Sequence, residues 1–544
     1  MLLSLQVAAQ SIRTVTPSEE KVGLYGKVEV TVTLEGGNWN NPFLQEEAAM
    51  DLEILCPSGR RILLPCFFSW GQSAKGSIWK ARLTPQEVGE YSFRAIYSER
   101  GKAVTTSRER SLECIPSDNK GILHPNDNWT LRFDDGTLFR GIGENICWES
   151  RQSDDSKFFS DLHEQHERFS YDRMIPYFAA NGGNFVRMWM CPWNFPIDRG
   201  EGFNNTRYVP TDFFINESAA HRLDYTLDLA QNNGVYVMLC LGSGNQRTNE
   251  AFFRDDTPKT LYRNYLRYIV ARWGYSPAVG MWEFFNEIDN IQFRNRPDPI
   301  AASLITGWHA EMSHYLKGLD PFGHIVTTSI SHRDVDGLNS VPDIDINQKH
   351  IYRATSSIPE NLQRYTREFS KPYIIGEFGF EWDWNRNFND FATDMDADFK
   401  RGLWYGIFNP TPVTPMSWWW EFFDERGLVP YFKCVRMVSD MMLEVGKGSF
   451  QPLKVEVKDA DAYAVKCGDT VFLYVFNTGK ETLTSVKVES TLSSGKLTTQ
   501  QYDFHNLSFG KECKLSSKTG IAEVPLSLAS GQEKLLIIRK RHEK

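Results

Sequence analysis

Trp282-Glu283-Phe284-Phe285-Asn286-Glu287 closes an apolar run, and a second carboxylate follows in a matching setting, Tyr373-Ile374-Ile375-Gly376-Glu377-Phe378-Gly379-Phe380. Glu287 and Glu377 each stand at the C-terminal end of a short segment that reads as a buried strand. In a (β/α)8 barrel, reactive groups project from the C-terminal ends of the strands. Two carboxylates in that place are the minimum equipment for hydrolysing a glycosidic bond.

Outward from the pair, residues 119–448 alternate apolar strands and helical segments. Strands are expected at Leu138–Gly143, Asn184–Trp189, Val235–Leu241, Gly280–Phe285, His324–Thr328 and Ile346–Tyr352, then at the Glu377 segment and at Met416–Trp420. Helices are expected at Leu223–Gln231 and Leu261–Trp273. Eight strands with helical connections predict a closed parallel (β/α)8 TIM barrel rather than an open sheet. On either side the pattern changes to a period of two. Lys27–Leu34, Ala49–Cys56 and Arg61–Leu64, separated by Pro57-Ser58-Gly59, predict an antiparallel β-sandwich over 13–118. Thr470–Phe476 and Leu535–Ile538 predict a second small sandwich over 449–544. Residues 1–12 begin Met-Leu-Leu-Ser-Leu-Gln-Val-Ala-Ala-Gln. The small residues at its end resemble the close of a secretory signal, so a signal-peptide remnant on a secreted or periplasmic protein is expected, against a frayed terminus.

Composition narrows the function classes. At 544 residues the chain exceeds one ordinary core, and its 41% apolar content suits a folded protein. No run of about 18 apolar residues exists, so no membrane span is expected. A net charge of −9 without a basic stripe argues against nucleic acid. Nine cysteines, with no Cys-x-x-Cys, read mainly as small apolar residues, although Cys56 and Cys66 are spaced to close a hairpin. Aromatic residues make up 13% of the chain, 16 of them Trp. They serve either as core filling or as platforms for the apolar faces of sugar rings. The long connection after the second strand carries Trp189, Trp193, Phe195, Phe203, Tyr208, Phe213 and Phe214. It reads either as a wall of substrate subsites or as a self-packed Ω-like loop.

The barrel segment resembles the clan A glycoside hydrolases, which include the family 5 cellulases and mannanases. The resemblance is clearest from Tyr265 to Pro277 and through Trp282-Glu283 to Asn286-Glu287. It implies Glu287 as the acid/base ending strand four and Glu377 as the nucleophile ending strand seven. It further implies substrate-binding or supporting roles for Arg187, Asn286, His350, Tyr352 and Trp420, the last as a sugar platform ending strand eight. Trp418 shares the strand parity of Trp420, so both are expected to point inward, with Trp419 packed against a helix. Leu241-Gly242-Ser243-Gly244 stands where family 5 enzymes commonly carry a His. Over 13–118, Asn41-Pro42-Phe43, Phe68-Ser69-Trp70, Trp79–Pro85 and Gly89–Phe93 resemble the Ig-like module that precedes many bacterial glycoside hydrolase barrels.

The chemistry follows from those residue types. A leaving oxygen needs a proton and the anomeric carbon needs a facing carboxylate. Glu287 would deliver the proton and Glu377 would attack. Arg187 by charge and Tyr352 by a hydrogen bond would keep Glu377 ionised, unless Arg187 instead forms an interior ion pair with Glu283. Asn286 would hold a sugar 2-hydroxyl, and His350 would orient the acid/base, contact sugar, or sit as a core histidine. Glu421 and Asp424 read as loop or rim residues. No metal-ligand spacing is visible and no cofactor is expected. The function expected is a retaining glycoside hydrolase acting on a β-linked carbohydrate. The alternatives are an inactive carbohydrate-binding scaffold and, more weakly, a metal-dependent deacetylase or amidohydrolase, whose ligand clusters are missing. Oligomeric state is not legible.

Overall fold

The computed structural model describes residues 10–212, 214–242, 248–294, 297–489, 496–518 and 520–540. The signal-like residues Met1–Ala9, together with Phe213, Ser243 and Gly244, lie outside the described residues. The chain divides into two compact units. One comprises Met1–His124, Phe133–Thr137 and Met188–Asp345; the other comprises Pro125–Arg132, Leu138–Arg187 and Ile346–Lys544. The middle segment carries strands β1 (Gly143–Asn145), β2 (Phe185–Trp189), β3 (Tyr236–Cys240), β4 (Val279–Glu283), β5 (Ile325–Thr327), β6 (Asn347–Tyr352) and β7 (Tyr373–Gly379). Its helices include α1 (Glu217–Asn232), α2 (Asp256–Trp273), α3 (Ile288–Gln292), α4 (Ala302–Leu319) and α5 (Trp420–Glu425). No helix among the described residues is long and apolar enough to cross a membrane.

In the first unit β3, β4 and β5 run parallel, with Leu239 opposite Trp282 and Trp282 opposite Val326. All five residues of β4 are buried, as expected for a parallel strand covered on both faces. Helix α1 starts where the Asn216 side chain accepts the Ala219 N–H at 3.0 Å, satisfying one of the donors that a helix start leaves unpaired.

The same unit holds the N-terminal module, two sheets around one core. The strand Val28–Glu35 alternates buried and half-buried residues along its length, and Val28, Val30, Val32 and Leu34 are fully buried with Trp79, Tyr97 and Leu52. Cys56 and Cys66 are free, buried thiols of that core rather than a bridge. The module is fastened to the helices by buried charge. Arg82 donates to both Asp224 oxygens at 2.6 and 3.0 Å, Arg272 donates to Asp224 at 2.9 Å, and the Trp273 indole donates at 2.7 Å. Although burial opposes ionisation, hydrogen bonds and charge from the two arginines hold the Asp224 carboxyl below the usual carboxylate range.

In the second unit β2 pairs with β1 in parallel and β7 with β6. Residues 413–417 bridge the two pairs: Gly141 to Val413, and Ser417 to both Glu144 and Phe378. Two expectations change here. Leu138–Phe139 belongs to a small antiparallel ladder with Leu131–Arg132, and the barrel strand starts later, at Gly143. The eighth strand position ends at Ser417, and Trp420 opens α5 instead of closing a strand. A third feature is topological and leaves the sandwich expectation standing: the ten strands of the C-terminal region form one ladder, because Cys513–Lys518 pairs with Lys496–Asp503 on one side and Ile521–Leu528 on the other. Val471, Leu473 and Val475 from one end and Val486, Val488 and Val524 from the other share its core. Glu533 fastens this sheet to the helix Tyr431–Gly446, accepting from Tyr431 at 2.7 Å while also accepting from Tyr474 of the sheet itself at 2.7 Å.

Candidate active site

Glu377 is 3% exposed near the end of β7. Arg187, fully buried on β2, donates to Glu377 Oε1 at 2.5 Å, and the Tyr352 hydroxyl donates to Oε2 at 2.5 Å. His350 lies directly opposite Glu377 in the β6–β7 register, with Nδ1 3.4 Å from Oε2. The period of two puts His350 and Tyr352 on one face of β6, which is why a His-x-Tyr pattern delivers both to the same carboxylate. A guanidinium and a hydroxyl on the two oxygens favour the charged form of a buried carboxyl.

The sequence reading missed the support beneath this group. Asn145 on β1 is fully buried. Its Oδ1 accepts from Arg187 at 3.3 Å, while its Nδ2 donates to the carbonyls of Gly376, Met416 and Ser417 at 3.0–3.1 Å. One amide thus ties β7 and the eighth segment to the arginine. Gly376 beside it leaves room for the Gln348 side chain, whose Oε1 would lie 1.8 Å from a Cβ placed there. A lone Asn in Gly-Glu-Asn-Ile offers no periodicity or pairing signal that would single it out.

Glu287 is half-buried and takes a left-handed conformation, φ 51° and ψ 58°, as the cap of α3. That conformation costs a non-glycine residue about 1–3 kcal/mol and persists only where the surroundings impose it. Here Ser329 Oγ accepts the Glu287 N–H at 2.9 Å and itself donates to the Phe285 carbonyl at 3.2 Å. Asp289, fully buried, accepts the N–H groups of Ser331, His332 and Arg333 at 2.7–3.1 Å, which anchors α3 to the chain after β5. Asn290 Nδ2 donates to Glu287 Oε2 at 2.7 Å. Asn286 is half-buried, and its N–H donates to the Gly242 carbonyl after β3 at 3.1 Å.

The aromatic candidates divide. Trp418 follows the last bridged residue, with its N–H on the Phe378 carbonyl at 3.0 Å, and is 6% exposed. Trp420 is 3% exposed and packs edge-on against Trp148 and Trp418 at 4.8 and 5.3 Å. It also lines a small internal void with Phe169, Met174 and Phe178. The shared parity expected for the two residues does not exist, because a helix begins between them. Trp419 packs on Phe159 and Phe388, and its indole donates to the Glu381 carbonyl. Glu421 is buried rather than on a rim, and burial pushes its carboxyl up to about 7. Burial likewise raises Glu144, to which the Ser417 hydroxyl donates at 3.1 Å. In the connection after β2, Phe195 and Tyr208 are buried and joined by the Phe195 N–H on the Tyr208 hydroxyl at 2.9 Å, whereas Phe214 is 62% exposed. The connection is therefore self-packed at its base and open at Phe214.

Residues 154–420 match the family model described as cellulase, glycosyl hydrolase family 5. That match lies in the middle segment, which has a TIM-barrel core with β-rich regions before and after it in the chain. Residues 21–98 match a domain of unknown function, DUF5060. Among curated relatives, mannan endo-1,4-beta-mannosidase F of Aspergillus clavatus is 25% identical over 268 residues, 39% of this chain and 57% of that protein. Mannan endo-1,4-beta-mannosidase 8 of Oryza sativa subsp. japonica is 25% identical over 236 residues, 34% of this chain and 62% of that protein. The chain thus spans little more than half the length of these relatives. Among solved structures, a Bacteroides vulgatus ATCC 8482 protein with a provisional glycoside hydrolase designation superposes with a TM-score of 0.66 at 15% identity, covering 96% of this chain and all of that one. At that identity the likeness is one of fold.

Proposed function

We propose that this protein is a retaining glycoside hydrolase that cleaves β-linked saccharides by double displacement, with Glu377 as nucleophile and Glu287 as acid/base. The observation that carries the reading is the Glu377 carboxylate near a strand end, held by Arg187 and Tyr352. In the first step a Glu377 oxygen attacks the anomeric carbon while Glu287 gives its proton to the leaving oxygen. The C–O bond to the leaving sugar breaks as the glycosyl ester forms. In the second step Glu287 takes a proton from water, whose oxygen displaces Glu377 and restores the β configuration. Retention calls for two carboxyl groups about 5–5.5 Å apart, so the reading requires a closed barrel that brings both strand ends to one mouth. Tyr352, Arg187 and His350 position the nucleophile. Asn286 is assigned to the sugar hydroxyls, and Trp418 is the better platform candidate than Trp420 because it directly follows the strand.

The relatives' names make β-1,4-mannan the first substrate to test, followed by cellulose and xylan oligomers. Hydrolysis followed by NMR should show the β anomer as the first product. Azide added to the Glu287→Ala variant should yield a β-glycosyl azide from an activated aryl glycoside. An α anomer as the first product would sink the mechanism and leave the fold standing. An absence of turnover on all three polymers and on aryl glycosides would favour the inactive carbohydrate-binding alternative.

A further inference from the structure

Within the first unit, a cavity of about 400 Å³ opens between the N-terminal module and the strand ends β3 and β4. The module contributes Asn41 and Phe43, the connection after β2 contributes Arg199 and Phe214, and the barrel segment contributes Tyr262 and Phe285. Its size falls near the low end of the roughly 300–1,000 Å³ typical of small-ligand sites, enough for one or two sugar rings. The walls are mainly apolar, with several aromatic rings among them, and two polar groups bordering the cavity have no hydrogen-bond partner. Asn41 is 3% exposed. Its Oδ1 accepts the Phe43 N–H at 2.9 Å, which fixes the amide and leaves Nδ2 as a buried donor with no hydrogen-bond partner. The Tyr262 hydroxyl is likewise buried and unpartnered. Its ring is clamped edge-on by Trp308 at 4.8 Å and Phe252 at 5.9 Å, and burial keeps the hydroxyl protonated.

A buried polar group is ordinarily paired, and Asn41 from the module and Tyr262 from the barrel segment both border this cavity, so each side brings one donor that an occupant would engage. That occupant has apolar faces and hydroxyls along its edge, which is the character of a pyranose ring. The mouth offers an apolar landing in Phe214, 62% exposed, and Leu261, 53% exposed. The cavity also adjoins the catalytic strand end. Phe285 stands two residues before Glu287, and Gly242, another wall residue, accepts the Asn286 N–H at 3.1 Å.

We propose that the N-terminal module and the barrel segment jointly bind a pyranose residue of a saccharide in this cavity, so that the module completes a sugar site instead of serving as a spacer. The proposal rests on the carbohydrate reading above, but its test does not use turnover. Mannotriose, cellotriose and xylotriose are titrated calorimetrically into the full chain carrying Glu377→Gln. One of the three should bind in two distinguishable events. Adding Tyr262→Phe or Asn41→Ala should weaken one event at least tenfold and leave the other unchanged. Phe214→Ala, which alters an exposed side chain and leaves the core intact, should weaken the same event. A single event indifferent to all three changes, or no binding of any trisaccharide, would overturn the proposal. Turnover of polymers by the unaltered protein separately decides the hydrolase reading, so either can fail without the other.

Discussion

Glu377 and Glu287 follow strands of the same kind, yet the protein holds them by opposite means. Around Glu377 the restraint is electrostatic: a fully buried guanidinium and a tyrosine hydroxyl each hold one oxygen, and Asn145 holds the guanidinium. Around Glu287 the restraint is on the backbone. A left-handed residue is locked by Ser329, the helix it caps is pinned by Asp289, and the side chain accepts from the neutral amide of Asn290. The difference matches the two roles proposed for them. A nucleophile must stay charged, and a cation does that directly. An acid/base must change protonation twice per cycle, so it is better aimed by the chain than clamped by a charge.

The sharpest test of this contrast is to remove each carboxyl. Glu377→Ala should reduce turnover by about 10⁵-fold or more on every substrate, as loss of a covalent nucleophile does. Glu287→Ala should cost about 10²–10⁴-fold on natural linkages and much less on aryl glycosides with good leaving groups, which need no proton. Steady-state rates on both substrate types check this, and equal losses throughout would break the comparison.

Next in size is the support. Arg187→Met leaves a buried carboxylate uncompensated and should destabilise the fold by about 3–5 kcal/mol, measurable by urea unfolding. Glu421 shows what burial does where no such clamp operates. Loss of water raises its pKa, with His163 and Arg151 pulling the other way, to about 7. With the folded value above the unfolded one, the neutral form is the one the fold accepts. Its stability contribution is therefore complete below about pH 4.5 and is lost as pH rises through about 7. Glu421→Gln should leave stability unchanged at pH 4 and add about 3 kcal/mol at pH 8; a pH-independent effect would show that the burial argument is wrong. The smallest effect is expected at Asn290, which is exposed. Asn290→Ala should cost only about 0.5–1.5 kcal/mol in stability while altering the pH profile of turnover more than its thermal midpoint.

Much of this was legible in the order of residues. β3, β4, β5 and β7 lie within a residue or two of the mainly apolar runs that predicted them, as strands buried on both faces do, whereas β6, Asn347–Tyr352, keeps its expected limits although four of its six residues are polar. The family resemblance placed Arg187 and Tyr352 on Glu377, but His350 was expected at the acid/base, at the sugar or in the core, and the structure puts its Nδ1 3.4 Å from Glu377 Oε2. The misreadings share one cause. Met416–Trp420 is apolar throughout, and an apolar run shows no period, so nothing local says that the extended chain stops at Ser417 and a helix begins at Trp420. Period-two patterning in the C-terminal region announced the strands, but their order depends on Cys513–Lys518 pairing on both sides, which no local window shows.

The sequence by itself marked most of the barrel strands, the two carboxyl residues proposed for catalysis and the residues that resemble a family 5 site, since these depend on local pattern and residue chemistry. Tertiary structure alone decided that Asn145 braces Arg187, that Trp420 is packing, that Glu421 is buried, and that Asn41 of the N-terminal module shares a cavity with Tyr262. Each of these depends on which side chains meet across long stretches of chain and how much water is excluded there, and neither quantity is written in any local window of residues.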